Sequence, residues 1–185
     1  MLSIAQDVQG SEVVLPWLER AGVTFPSMVD QHNQSGKLFS LKYVPVAIIL
    51  DEEGRLVRPV ANVNIGNDEF RADLEAWVRT SDIPAAWRET PVQVQRDLTA
   101  DEAEADVRFQ LACMLLWRNK KKEALDQLEE AVALDPENWL IRKQKWAIEA
   151  PEAFYDGPVD DDWQADQREC EDELLQKSKG RWGSG

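Results

Sequence analysis

The sequence predicts an α/β fold over residues 1–82 and an all-α helical module over residues 99–179. Two observations support this division. Residues 25–58 carry, in order, a short apolar run, a helical pattern, a Val-Pro turn and a hairpin, and alternating strands and helices are typical of α/β proteins. Beyond a proline-flanked connector at residues 83–98, the apolar residues recur at helical spacing.

The first three elements are predicted to be a strand, a helix and a strand. Residues 1–5 are strand-like, and residues 11–21 place their apolar side chains on one helical face before Gly22, which is a common residue just after a helix. Pro16 lies inside this pattern and is expected to kink the helix. Residues 25–29 form the second short apolar run.

The rest of the α/β half is predicted to contain a helix, a hairpin and a closing helix. Residues 36–43 are helical in pattern, and residues 46–50 are a continuous apolar run of the kind that is buried on both faces of a sheet. Residues 51–54 then predict a tight turn. Residues 67–79 form the last helix, with Asn67 as its N-cap.

Residues 1–80 resemble a thioredoxin-like redoxin of the peroxiredoxin and thiol–disulfide oxidoreductase branch. The resemblance rests on the order of the elements, on Val44-Pro45 ahead of the apolar strand, and on Asp51 and Gly54 in a DxxG turn. It implies a cis peptide bond between Val44 and Pro45 in a turn that faces the active-site thiols and the substrate. Position alone favours an ordinary trans proline at the start of a strand.

The resemblance also implies a segment that this sequence lacks. A redoxin begins with a strand, a loop and a helix that carry the nucleophilic cysteine, and that strand lies between those matching residues 1–5 and 46–50. We therefore expect an N-terminally truncated and inactive chain, with Met1 an internal methionine and the nucleophile a cysteine or selenocysteine upstream of it. Without the shared neighbour the two strands keep unpaired edges, so the chain should fold poorly or rearrange.

Residues 99–138 predict a helical hairpin. The segment from Thr99 to Glu102 has the pattern of a capped helix start, and residues 118–122 form a polar turn between two helices. The hairpin resembles a tetratricopeptide unit, whose small, bulky and proline positions are matched by Ala112, Ala124, Leu128, Ala131 and Pro136. Arg108 stands where the motif usually has an aromatic residue, and solenoids need about three such units, so the unit is atypical.

Two further helices are expected at residues 139–150 and 162–179, with a tail at residues 180–185. Of the eight tryptophans, five fall on helical apolar faces and are predicted to pack in the core or between modules: Trp77, Trp117, Trp139, Trp146 and Trp163. The alternative is an aromatic groove that receives a peptide, although one repeat offers little groove.

Neither of the two cysteines has a catalytic pattern. Cys113 lies in a helical run that is apolar nearly all round, so we expect a small buried hydrophobe. Cys170 shares the apolar stripe of an acidic helix with Trp163 and Leu174, where the nearby acids make it a poor nucleophile, and the spacing does not support a disulfide. His32, the only histidine, is expected in a loop and offers neither a histidine pair for a metal nor an acid–base dyad.

Charge and hydropathy exclude several classes of partner. The net charge is −14, and residues 149–175, with eleven acids against one arginine, supply about −10 of it. Such a surface repels phosphate backbones, so no nucleic acid is expected. Residues 160–162 lack the spacing of a calcium loop, and no metal or cofactor is predicted. No run approaches the ~20 apolar residues of a membrane span and no signal peptide is visible. The cytoplasm is therefore the default location, while the expected N-terminal truncation leaves the original targeting open.

Three functional interpretations compete. The first and preferred one is a redoxin of the thiol–disulfide or peroxidase type, in which Pro45 positions a protein disulfide or a peroxide beside a nucleophile from outside this sequence. The second is a non-catalytic thioredoxin-like scaffold whose helical module binds a protein partner, which the lack of a cysteine near Pro45 supports. The third is an iron-regulated or other unrelated α/β function, because fold does not fix chemistry.

Overall fold

The computed structural model describes residues 1–89, 97–157 and 160–182. Within these residues the fold is α-rich, with one small parallel sheet of two strands. In chain order the elements are β1 (Ser3–Ala5), α1 (Ser11–Arg20), β2 (Ser27–Val29), α2 (Gln34–Leu38), α3 (Asp68–Thr80), α4 (Ala85–Glu89), α5 (Ala100–Trp117), α6 (Lys121–Leu134), α7 (Trp139–Glu149), α8 (Glu152–Tyr155) and α9 (Asp161–Trp182).

The chain forms two compact units, and they divide the sequence differently from the predicted modules. The first unit joins Met1–Gln34 to Leu98–Gly185, and the second is Ser35–Asp97. The opening strand-helix-strand segment therefore packs in one unit with the helical module. That residues 83–98 connect two separate modules stays a prediction. Residues 90–96 of that connector lie outside the described part of the chain, as do residues 183–185 of the expected tail.

A parallel strand pair connected by a helix opens the first unit. β1 and β2 pair in parallel with Ser3 opposite Ser27, and α1 connects them. Gly10 precedes α1 with φ of 95°, and a Cβ there would lie 2.9 Å from Nε2 of Gln31. Both the left-handed backbone and the close contact therefore require glycine at this position. Pro16 lies inside α1, as the sequence indicates.

The helical hairpin of α5 and α6 forms the core of the first unit. Thr99 accepts a hydrogen bond from the Glu102 amide at 3.2 Å and its own amide donates to Glu102 at 2.9 Å, so the predicted capped start is confirmed. The two helices meet through fully buried residues: Ala105, Ala112, Ala124, Leu128 and Ala131 are 0% exposed. Alanines at these positions allow the helix backbones to approach closely. Whether the hairpin is a tetratricopeptide unit stays a prediction.

The second unit departs most from the expected strands. The run at residues 46–50, predicted as a strand buried on both faces, forms only two isolated bridges, Ala47 to Ala61 and Leu50 to Leu56. Leu50 is 46% exposed, so one face of this segment is open. The helix predicted at residues 36–43 is the shorter α2, after which Ser40 has φ of 51° and interrupts helical geometry.

The sequence predicts the start of α3 correctly, but it predicts neither the short helix α4 nor the end of α9. Asn67 accepts a hydrogen bond from the Phe70 amide at 2.8 Å, which confirms the predicted cap of α3. The predicted connector contains the short helix α4, which the sequence analysis did not include. Residues 180–182, expected to belong to the tail, are part of α9, which runs to Trp182.

Candidate functional site

The Val44-Pro45 turn is the candidate substrate-facing feature of the sequence. The peptide bond between these residues is cis. Val44 is 37% exposed, Pro45 is exposed, and the Pro45 carbonyl accepts a hydrogen bond from Nδ2 of Asn62 at 3.0 Å. The turn is thus accessible and held by the side chain of Asn62, which follows the bridge residue Ala61. That it faces a substrate stays a prediction.

The DxxG turn beside it is organised by one carboxylate. Oδ1 of Asp51 accepts hydrogen bonds from the backbone amides of Glu53 at 3.0 Å and Arg55 at 2.8 Å. The Arg55 guanidinium donates to the other oxygen, Oδ2, at 2.7 Å. These contacts, led by the Arg55 amide, lower the pKa of Asp51. Gly54, at φ of 79°, completes the turn with a left-handed backbone. The carboxylate has a structural role because its oxygens are occupied by the turn itself.

Both cysteines lie on helices of the first unit, and both are free thiols. Cys113 is 3% exposed, as expected, and burial raises its pKa to about 12, so it carries no thiolate at neutral pH. Cys170 is exposed on α9. Cys170 lies at helical spacing from Trp163 and Leu174 on this helix, and Leu174 is 60% exposed. The stripe is therefore exposed at Cys170 and Leu174.

A polar network ties the loop after β1 to the helices α7 and α8. Gln144 accepts a hydrogen bond from the Val8 amide at 3.0 Å and donates to the Gln6 carbonyl at 2.8 Å. Gln9 donates to the Ala147 carbonyl at 3.0 Å. A side chain of α7 thus provides hydrogen-bond partners for backbone groups of this loop. A buried segment without regular secondary structure needs such partners.

An acid and a phenol complete this network. Tyr155 donates to Oδ2 of Asp7 at 2.7 Å and accepts from Nε2 of Gln9 at 2.9 Å. Asp7 is 9% exposed, and burial raises its pKa. Burial and the neighbouring Asp7 charge likewise raise the pKa of Tyr155. Sequence analysis missed this pair, because no local pattern connects residues that are 148 positions apart.

The acidic helix α9 is held to α7 by charge and by an indole. Arg142, 2% exposed, contacts Asp172 at 3.0 Å. Glu171 accepts hydrogen bonds from Nζ of Lys145 and Nε1 of Trp146, both at 2.9 Å. Although burial lowers the pKa of Lys145, its ion pairs raise it overall. The acidic segment, expected to be solvated surface, thus provides structural ion pairs.

The tryptophans divide between core and surface. Trp146 is fully buried and meets Trp163 edge-on, with ring centroids 5.9 Å apart. The core prediction for Trp117 was wrong, because this side chain is 69% exposed at the end of α5. Trp87, which lies in the predicted connector, is 3% exposed.

Arg58 is a buried cation that sequence analysis also missed. It is 8% exposed and its guanidinium lies 5.5 Å from the Phe70 ring centroid and 5.9 Å from that of Trp87. Nε of Arg58 has no hydrogen-bond partner among the described residues. Aromatic faces favour a cation through their quadrupole.

The described residues contain neither a candidate metal site nor a membrane-spanning helix. Across residues 1–89, 97–157 and 160–182, no group of three or more His, Cys, Asp or Glu side chains could hold a metal ion. In the same ranges no helix is long and apolar enough to cross a membrane. No protein family, curated protein or solved structure matches this chain.

Proposed function

We propose that residues 1–82 act as a thioredoxin-like redoxin module in thiol–disulfide or peroxide chemistry, with a nucleophile that these residues do not contain. Both cysteines of the chain lie beyond residue 82. Val44 and Pro45 then contribute the substrate-facing turn for a protein disulfide or a peroxide. Residues 99–179 are proposed to be a tetratricopeptide-like module for protein–protein interaction.

The open edge of β1 is the observation that carries this proposal. Among the described residues β1 has a single strand neighbour, β2. The Ser3 amide donates to Pro26 and the Ala5 carbonyl accepts from Asp30. Because successive residues of a strand point their amide and carbonyl to alternate edges, those of Ile4 point away from β2. This edge can accept another strand, and the redoxin resemblance implies that the strand before the nucleophile pairs here.

Exposed apolar side chains beside this edge give further support. Ile4 and Met28 are partners in the register, so they lie on the same face of the sheet. They are 42% and 57% exposed, and Leu2 is 51% exposed. A neighbouring strand with its helix would cover such a face, and covering it removes apolar area from water.

Redox assays on two forms of the chain test the proposal. One form is the chain of 185 residues, and the other carries an added strand, loop and helix with a Cys-x-x-Cys motif ahead of Met1. We expect the chain alone to reduce neither insulin disulfides nor hydrogen peroxide, and the extended form to do so. Pro45→Ala in the extended form should reduce the rate without unfolding the protein, as followed by circular dichroism. An inactive extended form that is folded contradicts the redoxin function.

A non-catalytic scaffold is the second candidate, and the network after β1 favours it. Catalytic and ligand sites of parallel sheets lie beyond the carboxyl ends of the strands. Here the loop after β1 is covered, since Asp7 is 9% exposed and bonded to Tyr155, and Val8 is 3% exposed and bonded to Gln144. A folded but inactive extended form, in which the β1 edge nevertheless becomes protected from amide exchange, would support the scaffold.

A further inference from the structure

The outer face of α5 carries an apolar stripe that no part of the described chain covers. Val107, Leu111 and Met114 are 68%, 44% and 52% exposed. Their spacing of four and three residues places them on one side of a helix. The opposite side of α5 holds Phe109 and Ala112, which are 1% and 0% exposed in the core. α5 is therefore apolar on both faces, and within the described part of the chain only one of these faces has a partner.

The charges at the two ends of this stripe are opposite in sign. Glu104 lies seven residues before Leu111 and Arg118 lies seven residues after it, so both fall on the same helical face as Leu111. Both are exposed. The stripe thus begins with an acid, ends with a base, and has Leu111 at its centre.

We propose that this stripe is a self-association surface, on which α5 packs antiparallel against α5 of a second copy of this chain. With a two-fold axis at Leu111, each residue before Leu111 lies opposite the residue equally far after it in the other copy. Glu104 then faces Arg118 of the partner subunit, and Arg118 faces Glu104 of the partner subunit. The charged ends of the two stripes are complementary in this orientation, and a two-fold interface requires such self-complementarity.

The proposed dimer is weak because of its size and charge. A single pair of helices buries less than the roughly 1,000 Å² that a stable interface needs. Two copies that each carry −14 also repel one another. At physiological ionic strength the screening length is about 8 Å. Salt therefore weakens the long-range repulsion between the two copies more than it weakens the close contacts between Glu104 and Arg118. A monomer–dimer equilibrium that shifts with concentration is expected.

Sedimentation equilibrium of the full chain over a concentration series tests the surface. The wild-type chain should show monomer and dimer, and Leu111→Lys should raise the dimer dissociation constant at least about tenfold by placing two like charges at the axis. Leu15→Lys is the matched control, because Leu15 is a 50% exposed leucine on another helix of the same unit. Its dissociation constant should not change. A wild-type monomer at every concentration, or a dimer that Leu111→Lys leaves intact, overturns the proposal.

A charge exchange tests the antiparallel orientation independently of Leu111. Glu104→Lys and Arg118→Glu should each weaken the homodimer, since each places like charges opposite one another. An equimolar mixture of the two variants should restore dimer formation, because every facing pair is then opposite in sign. Circular dichroism establishes that the variants are folded, which matters because Glu104 also pairs with Arg108 in the same chain at 2.7 Å. Folded variants whose mixture stays monomeric overturn the antiparallel arrangement.

Discussion

Tyr155 donates a hydrogen bond to Oδ2 of Asp7 over 2.7 Å and thereby joins α8 to the loop that follows β1. The same hydroxyl accepts from Gln9, which also donates to the Ala147 carbonyl on α7. One phenol thus connects two parts of the chain that are far apart in sequence. The opening strand-helix-strand segment is held to the helical module by this network as well as by the apolar contacts of Val8 in the core.

Tyr155→Phe removes the phenol from this network and keeps the ring. The free energy of unfolding should fall by about 1–3 kcal/mol, because Asp7 and Gln9 lose a partner in a buried setting. Urea denaturation at neutral pH measures the change. Tyr43→Phe is the control, since Tyr43 lies in the other compact unit, and it should change stability by less than about 0.5 kcal/mol. Equal effects of the two substitutions would contradict a structural role for the Tyr155 hydroxyl.

Gln144→Leu tests the second anchor of the same loop. Gln144 is bonded to the Val8 amide and to the Gln6 carbonyl, so leucine leaves both backbone groups without their partner and should cost about 2–4 kcal/mol. Amide exchange at Val8 should become faster by a corresponding factor. Gln176→Leu, at an exposed position of α9, is the control and should leave the exchange of Val8 unchanged. Unaltered protection of Val8 in Gln144→Leu would show that the loop is held by other contacts.

Local features of the fold could be predicted from the sequence because they depend on neighbouring residues. The capping pair of Thr99 and Glu102 and the cap by Asn67 each need only three residues of spacing. The buried Cys113 followed from the apolar residues around it. The hairpin of α5 and α6 followed from a helical period that is interrupted by a polar turn.

Long-range features could not be predicted, since no local pattern encodes them. The contacts of Asp7 with Tyr155 and of Val8 with Gln144 join residues 148 and 136 positions apart. They bring the first strand into the same unit as the helical module. The core prediction for Trp117 was wrong for a related reason. Helical spacing places a residue on one face of a helix, but it does not reveal whether another element covers that face.

The two thiols should differ strongly in reactivity towards Ellman's reagent. Cys170 is exposed and Cys113 is 3% exposed, so the native protein should show one reactive thiol and the denatured protein two. Cys170→Ser should abolish the native reaction, whereas Cys113→Ala should leave it unchanged. Rapid labelling of the native Cys170→Ser protein would mean that the core around Cys113 opens readily.

Substitution by phenylalanine should destabilise the protein far more at Trp146 than at Trp117. Trp146→Phe loses the hydrogen bond to Glu171 and leaves a void in a fully buried site, for an expected loss of about 2–4 kcal/mol. Trp117→Phe, at a site 69% exposed, should change stability by less than about 0.5 kcal/mol. Chemical denaturation at low protein concentration measures both. A large effect at Trp117 would indicate that the described surface of α5 is covered in solution.

Stability should decrease above pH 9 because of Cys113. Burial raises its pKa in the folded protein from 9.0 to about 12, so the folded state retains a thiol proton that the unfolded state releases. The protonated Cys113 thiol makes its full contribution to the free energy of unfolding below pH 9. This contribution is lost as the pH rises towards about 12, and the free energy of unfolding then falls by up to ~1.4 kcal/mol per pH unit. Cys113→Ala should therefore show a shallower loss of stability than the wild type over this range in guanidinium titrations. Identical slopes for the two proteins would show that the Cys113 thiol ionises with nearly the same pKa in both states.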